Sequence, residues 1–293
     1  MPTDELLINP VNGAQTLWTY KPSQARLSIV GRRWMARLFR GAFPSWKTLV
    51  PASPQTRWLA YFVYLPDGQL TAGHRFTLDR LAAERASLMV ICACPDGHAV
   101  LDELRARCDA LYWKDMPGYD FSAYALGLSE LVLWSPGADV LFMNDSIFGP
   151  FAPLEPFIQA APWRVTGFTA NATRATEENH VQSYAFVIKN LQMDVLQAAA
   201  PSMSMSWAYN DIESVILLQE TRLTRMLARH FDVGAYWCSI QREKSDLCLF
   251  RPRELIEAGF PFLKRSLLGK FATRFQQLDD MKALLNSLGH PLP

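Results

Sequence analysis

The sequence predicts an α/β fold: a mixed, mostly parallel sheet covered by helices, preceded by an N-terminal helical extension. Three observations carry that expectation. Apolar runs of strand length recur, as "WLAYFVYL" at 58–65, "SLMVICAC" at 87–94 and "ADVLFMND" at 138–145. Segments of helical periodicity lie between them, as "RFTLDRLAAERA" at 75–86, "HAVLDELRARC" at 98–108 and "GYDFSAYALGLSELVLW" at 118–134. Strand and helix in alternation predict parallel strands joined by helical crossovers. Finally, 293 residues with 49% hydrophobic and 19% charged side chains are enough for one large core and exclude a disordered chain.

Bulk properties remove several function classes. Lys and Arg number 29 against 28 Asp and Glu, a formal net charge of +1, so no global charge favours nucleic acid. No run of about 18 apolar residues predicts a membrane span. The start, "MPTDELLINP", lacks the basic and apolar regions of a signal peptide, and Cys92, Cys94, Cys108, Cys238 and Cys248 follow no CxxC or zinc spacing. Reduced thiols in a cytoplasmic protein are expected. The acceptor pattern at Asn171–Thr173 carries little weight without a secretory signal.

Residues 1–25 read as an irregular leader. The next stretch, "RLSIVGRRWMARLFRG", spaces Ile29, Val30, Trp34, Leu38 and Phe39 as a helix does, with Arg32, Arg33, Arg37 and Arg40 interleaved. Such a basic amphipathic helix either lies in the headgroups of an anionic membrane, at the inner face, or packs on the domain with its arginines solvated. We therefore expect a leader and helix over 1–56 and the α/β domain over 57–293. Within the domain the turn "PDG" ends the first strand, and "WRVTGFT" and "HVQSYAFVI" are two further strands joined by the polar loop "ANATRATEEN". A long helix is expected from about Asp211 to His230, capped by Asn210 with Glu213 three residues on, and with Ile212, Ile216, Leu223 and Leu227 as its apolar stripe. "RPRELIEAG" and "LDDMKALLNSLG" predict two more helices.

Chemistry is expected where "VLFMNDS" ends. Ligands of open α/β sheets bind beyond the carboxyl ends of strands, and Asn144, Asp145 and Ser146 stand at such an end. A carboxylate there can hold Mg²⁺ or Mn²⁺ or accept hydrogen bonds from ribose hydroxyls, or it can merely close an Asx turn. Nucleotide-sugar transferases of the GT-A architecture use a short motif in this place, usually two acids one residue apart. Here Met143 and Ile147 flank Asp145 at that spacing, so a metal at Asp145 needs ligands from elsewhere.

Five blocks then occur in order: "GYDFSAY" (118–124), "LFMNDSIFGPF" (141–151), "HVQSYAFV" (180–187), "VILLQETRLT" (215–224) and "FPFLKRSLL" (260–268). Together they resemble the rhamnan synthesis protein F family of bacterial rhamnosyltransferases, over roughly residues 58–270. The resemblance implies a GT-A-like nucleotide-sugar-binding domain, a dTDP-rhamnose donor, and a glycan or lipid-linked glycan acceptor of a surface polysaccharide such as an O-antigen. Gln219 departs from the aromatic residue the family commonly has before its glutamate.

Each block suggests roles. Gly118 allows a tight turn that cradles the donor, Tyr119 and Phe121 can stack on a base or sugar, and Asp120 can cap the following helix or touch the donor. Strand alternation sets His180, Gln182 and Tyr184 on one face, so His180 and Gln182 are expected to line a cleft. A β-linked donor giving an α product requires inversion, hence one base and help for the departing diphosphate. Glu220 is the first candidate base, with His180 and Asp211 behind it; Asp211 and Glu213 also suit the helix N-terminus. Lys264, Arg265 and Lys270 can meet phosphates or form a solvated basic edge. Two rivals stay open: a non-catalytic glycan-binding scaffold, and a transferase using another donor such as GDP-fucose.

Overall fold

The structure is a computed structural model, and it describes residues 8–22, 27–36, 38, 44–172, 179–204, 207–240, 246–272 and 278–292. Its elements run β1 (Ala14–Thr19), α1 (Leu27–Ala36), β2 (Trp46–Val50), β3 (Arg57–Tyr64), α2 (Ala72–Ala82), β4 (Ser87–Ala93), α3 (Val100–Arg105), β5 (Ala110–Lys114), α4 (Tyr119–Trp134), β6 (Asp139–Asn144) and β7 (Ile147–Phe148). Then come α5 (Glu155–Gln159), β8 (Val165–Asn171), β9 (His180–Val181), β10 (Ala185–Ile188), α6 (Met193–Ala199) and α7 (Ile212–Val215). A π turn (Ile216–Glu220) leads into α8 (Thr221–Leu227), followed by β11 (Val233–Ser239), α9 (Leu247–Phe250), α10 (Pro252–Glu257), β12 (Leu263–Lys264) and α11 (Leu278–Ser287).

One sheet has the order β1-β11-β8-β10-β6-β3-β4-β5-β2, with β9 paired to β8. Strands β3, β4, β5, β6, β8 and β11 run one way, and β1, β2, β9 and β10 run the other. The expected mixed, mostly parallel sheet is what forms. Side-chain alternation divides its central strands between two cores. Trp58, Ala60 and Phe62 of β3 and Phe142 of β6 pack with Phe121, Tyr124 and Leu128 of α4. Leu59, Tyr61 and Val63 pack on the other face with Leu78 and Leu81 of α2 and Leu104 of α3. Helix α11 lays Met281, Leu284 and Leu285 over Phe148 and Leu263 of the β7–β12 pair.

Four expectations are corrected. The leader is not wholly irregular: β1 pairs with β11 and β2 with β5, so residues before the expected boundary at 56/57 close both edges of the sheet. "HVQSYAFVI" is two strands broken at residues 182–184. The helix after Asn210 is capped by Asp211, whose side chain accepts from the Ser214 N–H at 2.7 Å. Its stripe does not bury throughout, since Ile212 is exposed while Leu223 and Leu227 are core.

Helix α1 forms as expected, but its described side chains have the opposite polarity to a helix packed by its apolar side. Arg33 is buried, and Leu27, Val30 and Trp34 are exposed. Arg37, Phe39 and Arg40 lie outside the described residues, as do Thr173 and the middle of the polar loop. Among the described residues no helix is long and apolar enough to cross a membrane. All five cysteines are free.

Candidate active site

The register of the sheet decides which residues meet. Asn144 pairs with Phe62 at the carboxyl end of β6, and Tyr64 pairs with Ala93 at the end of β3 and β4. Strand β10 runs antiparallel to β6, with Ala185 opposite Met143, which brings Ser183 and Tyr184 to the same end. A cleft of about 760 Å³ opens there. Its walls include Gly118, Tyr119, Asp120, Asn144, Asp145 and Ser146 on one side. Ser183, Tyr184, Ile212, Ile216, Glu220 and Lys264 also line it.

Asp145 does face this cleft. Its Oδ2 accepts the Tyr64 N–H at 3.0 Å, and Arg265 Nη1 stands 3.7 Å away, with His74 Nε2 at 3.8 Å. Arg265 also donates to the Asp145 carbonyl at 2.9 Å. Burial pushes the Asp145 carboxyl above the usual range, while the Tyr64 N–H and Arg265 pull it back. Burial and the neighbouring Arg265 draw His74 down to about 4, so it is neutral at pH 7.

Asn144 links two elements. Its Nδ2 donates to Asp120 Oδ2 at 2.8 Å, and its Oδ1 accepts from the Ser146 N–H at 3.0 Å. Asp120 is therefore not the cap of α4. The cap position is Gly118, at φ +93°, and Asp120 sits in the first turn, also accepting from the Phe121 N–H at 3.1 Å. Asn210, expected to cap the later helix, instead accepts the Gly118 N–H at 3.0 Å and ties the two cleft walls together. Tyr119, at φ +49°, is a non-glycine residue in the left-handed region, a strained conformation that cleft walls often hold. Burial, with Glu220 nearby, pushes Asp120 up to about 7.

Across the cleft, Glu220 ends a π turn, a helical irregularity that recurs at functional sites. Its Oε1 accepts from the Ser183 N–H and Oγ, each at 3.1 Å. Thr224, one turn on, is not its anchor; Thr224 Oγ1 accepts the Val181 N–H at 2.9 Å. Gln219 is buried and donates to the Ser202 carbonyl at 3.2 Å, filling the space before the acid.

His180 and Gln182 do not line the cleft, contrary to expectation. Both are buried; His180 sits on β9 opposite Asn171, and Gln182 accepts from Thr169 Oγ1 at 2.5 Å. The break between β9 and β10 interrupts the alternation, so Ser183 reaches the cleft beside Tyr184 while Gln182 turns into the core. Asp211 is exposed and committed to its cap, and it too is outside the cleft lining. Sequence reasoning missed Tyr64, Ser183 and Asn210. Of the two readings open for Lys264, a phosphate contact or a solvated edge, the structure removes the solvated one: Lys264 lines the cleft, pairs with Asp246 at 2.7 Å and lies over the Tyr184 ring. Burial pulls the Lys264 ammonium down, but Asp246, Cys248 and Glu220 outweigh it and leave the group above its ordinary value.

The carboxylates do not compose a cation site. Asp145 spends Oδ2 on a backbone N–H and has a guanidinium as its nearest positive group, and Asp120 is held by Asn144. Among the described residues no cluster of three or more acidic, histidine or cysteine ligands exists. Mg²⁺ or Mn²⁺ would need most of its six or more oxygens from elsewhere and would face Arg265.

The solved structures similar to this chain are distant. HddC from Yersinia pseudotuberculosis aligns at TM-score 0.38 and 7% identity, over 63% of this chain and 93% of that one. S. aureus TarS 1-349 aligns at 0.38 and 10%, over 62% and 58%. The inositol-1-phosphate CTP transferase from T. maritima aligns at 0.38 and 10%, over 64% and 90%. No curated protein sequence matches. The family model for Rhamnan synthesis protein F matches residues 88–287, which span β4 to α11 and hold Asp120, Asn144, Asp145, Ser183, Glu220 and Lys264. That match covers more than half of the sequence, and the chain belongs to the rhamnan synthesis protein F family.

Proposed function

We propose that the protein is an inverting glycosyltransferase of GT-A-like design, moving rhamnose from dTDP-rhamnose to a glycan or lipid-linked glycan of a surface polysaccharide. The family points to this chemistry, and one observation carries the reading. A buried-strand end bearing Asn144 and Asp145 faces, across one cleft, a glutamate anchored by Ser183. Asp120, Asn144 and Asp145 bind donor hydroxyls, with Tyr119 at the rim. Glu220 is the base. It takes the proton of the acceptor hydroxyl as that oxygen bonds to the anomeric carbon. The bond from that carbon to the diphosphate breaks, and its electron pair leaves with dTDP, whose charge Lys264 offsets. No step in this reading passes through a divalent cation.

A panel of nucleotide sugars tests it. dTDP-rhamnose should raise the melting temperature and support transfer, and Asp145→Ala should abolish transfer with the fold intact. Full transfer in that variant would refute the role of Asp145. A shift with GDP-fucose alone would replace the donor, and glycan binding without turnover of any nucleotide sugar would replace the enzyme by a scaffold.

A further inference from the structure

We propose that α1 is a bilayer-docking helix that sets the Glu220 side of the cleft against an anionic lipid surface. Its polarity is the first observation. Leu27 is 90% exposed, Trp34 64%, and Val30 and Met35 about half, while among the described side chains of the helix the one turned inward is Arg33. A helix meant for water shows the reverse arrangement. The inward arginine is an anchor. Its Nε donates to the Leu217 carbonyl at 3.0 Å and its Nη2 to Thr221 Oγ1 at 2.9 Å. These two residues flank Glu220 on either side in sequence, so the helix is fastened to the segment that carries the proposed base.

Charge identifies the occupant. Residues 6 to 45 contain no acidic side chain, against Lys21, Arg26, Arg32, Arg33, Arg37 and Arg40. Glu213, an acid beside the helix, is neutralised by Arg32 at 3.0 Å. Apolar residues with a tryptophan inside a purely basic run match the boundary between acyl chains and anionic headgroups. A symmetric second copy would instead bring two basic runs together. Ile212, half exposed and part of the cleft wall, adjoins Glu213 in sequence, which leads from the docking face toward the cleft mouth. That the acceptor is lipid-linked and arrives from this side rests on the glycosyltransferase reading; the docking itself does not.

The test is sedimentation of the full chain with phosphatidylcholine vesicles, with and without phosphatidylglycerol, for the parent, Trp34→Glu and the double variant Leu27→Glu/Trp34→Glu. The parent should bind the anionic vesicles, weaken with salt, and lose affinity by about tenfold or more in Trp34→Glu. Melting temperature and its shift with dTDP-rhamnose should be the same in all three. No binding by the parent overturns the proposal, as does equal binding by the double variant. So does a lipid-free dimer that Trp34→Glu dissociates, which would make the face a protein interface. Vesicle binding lost on substitution, with no donor shift in any protein, would uphold the docking and sink the transferase reading.

Discussion

Glu220 Oε1 accepts both the Ser183 N–H and the Ser183 Oγ, each at 3.1 Å. One residue thus fixes the carboxylate through a backbone donor that side-chain truncation leaves in place and a hydroxyl that it removes. The backbone donor is available because the strand breaks between Val181 and Ala185. Both bonds fall on one oxygen, which orients the other for proton transfer. Glu220→Gln keeps the shape but cannot take a proton at neutral pH. Transfer should fall by about 10² or more, the usual worth of a general base, while the donor-induced melting shift persists. Ser183→Ala should cost a milder factor, about threefold to tenfold, on the scale of one hydrogen bond. Single-turnover transfer rates measured beside donor binding separate these outcomes; an unimpaired Glu220→Gln would remove the base.

Asp120 gives a pH signature. Its carboxyl is pushed from the ordinary 3.8 up to about 7, by burial first and Glu220 second. The folded protein then holds a proton on Asp120 that the unfolded chain has lost between those values. Stability from this group is present at low pH and is lost as pH rises from about 4 to about 7. Asp120→Asn keeps an acceptor for Asn144 Nδ2 but has no charge to form. It should therefore be more stable than the parent at pH 8, by up to a few kcal/mol at about 1.4 kcal/mol per unit, and the difference should close by pH 4. Denaturation across pH 4–8 checks the sign, and a variant less stable at pH 8 than at pH 4 relative to the parent would contradict it.

Much of this architecture is legible in the sequence because buried parallel strands read as continuous apolar runs. β3, β4 and β6 announce themselves that way, and Asp145 stands out as the charge ending one of them. The edges do not. β1 and β2 lie in polar, proline-bearing stretches, and their strand form depends on pairing with β11 and β5 far along the chain. The site is legible where it follows a regular element and illegible where it follows an irregularity. Period-two alternation through "HVQSY" puts Gln182 in the cleft and Ser183 in the core; the break reverses them. The π turn likewise displaces Glu220 from regular helical spacing, so its partner is Ser183, 37 residues away, and not Thr224. Lys264 reads as a phosphate contact or a surface lysine alike until the fold supplies Asp246 and Tyr184.

Gly118 is held by sterics as well as by backbone angle. A Cβ there would lie 2.7 Å from Ser122 Oγ and 3.0 Å from the Ala208 Cβ, and φ is +93°. Gly118→Ala should destabilise the protein by about 1–3 kcal/mol, since a strained φ adds to the contact. Because the Gly118 N–H bonds to Asn210 Oδ1, the same change should loosen the wall bearing Tyr119 and weaken donor binding. Ser122→Ala in the same chain removes the hydroxyl but leaves the residue-122 Cβ, 2.8 Å from the added one, and the backbone strain, so it should restore only part of the loss. Chemical denaturation of the three proteins separates the hydroxyl's share from the rest, and an unchanged midpoint in Gly118→Ala would show that the turn relaxes freely.

The Asp145–Arg265 pair decides whether a cation enters. Arg265 Nη1 is 3.7 Å from Asp145 Oδ2 and donates at 2.9 Å to the carbonyl of the same residue, a two-point hold that a dication would have to displace. If the guanidinium and Lys264 supply the positive charge, chelator should leave transfer within about twofold of its value, and Mg²⁺ or Mn²⁺ alone should not raise the melting temperature. Arg265→Met should then lower the donor affinity by about tenfold, because Asp145 loses its counter-charge in a half-buried site. Added Mn²⁺ rescuing Arg265→Met would show that the pocket admits a metal once the arginine is gone. Loss of parent activity in chelator, restored by Mn²⁺, would instead assign Asp145 to a metal whose other ligands come from the donor diphosphate.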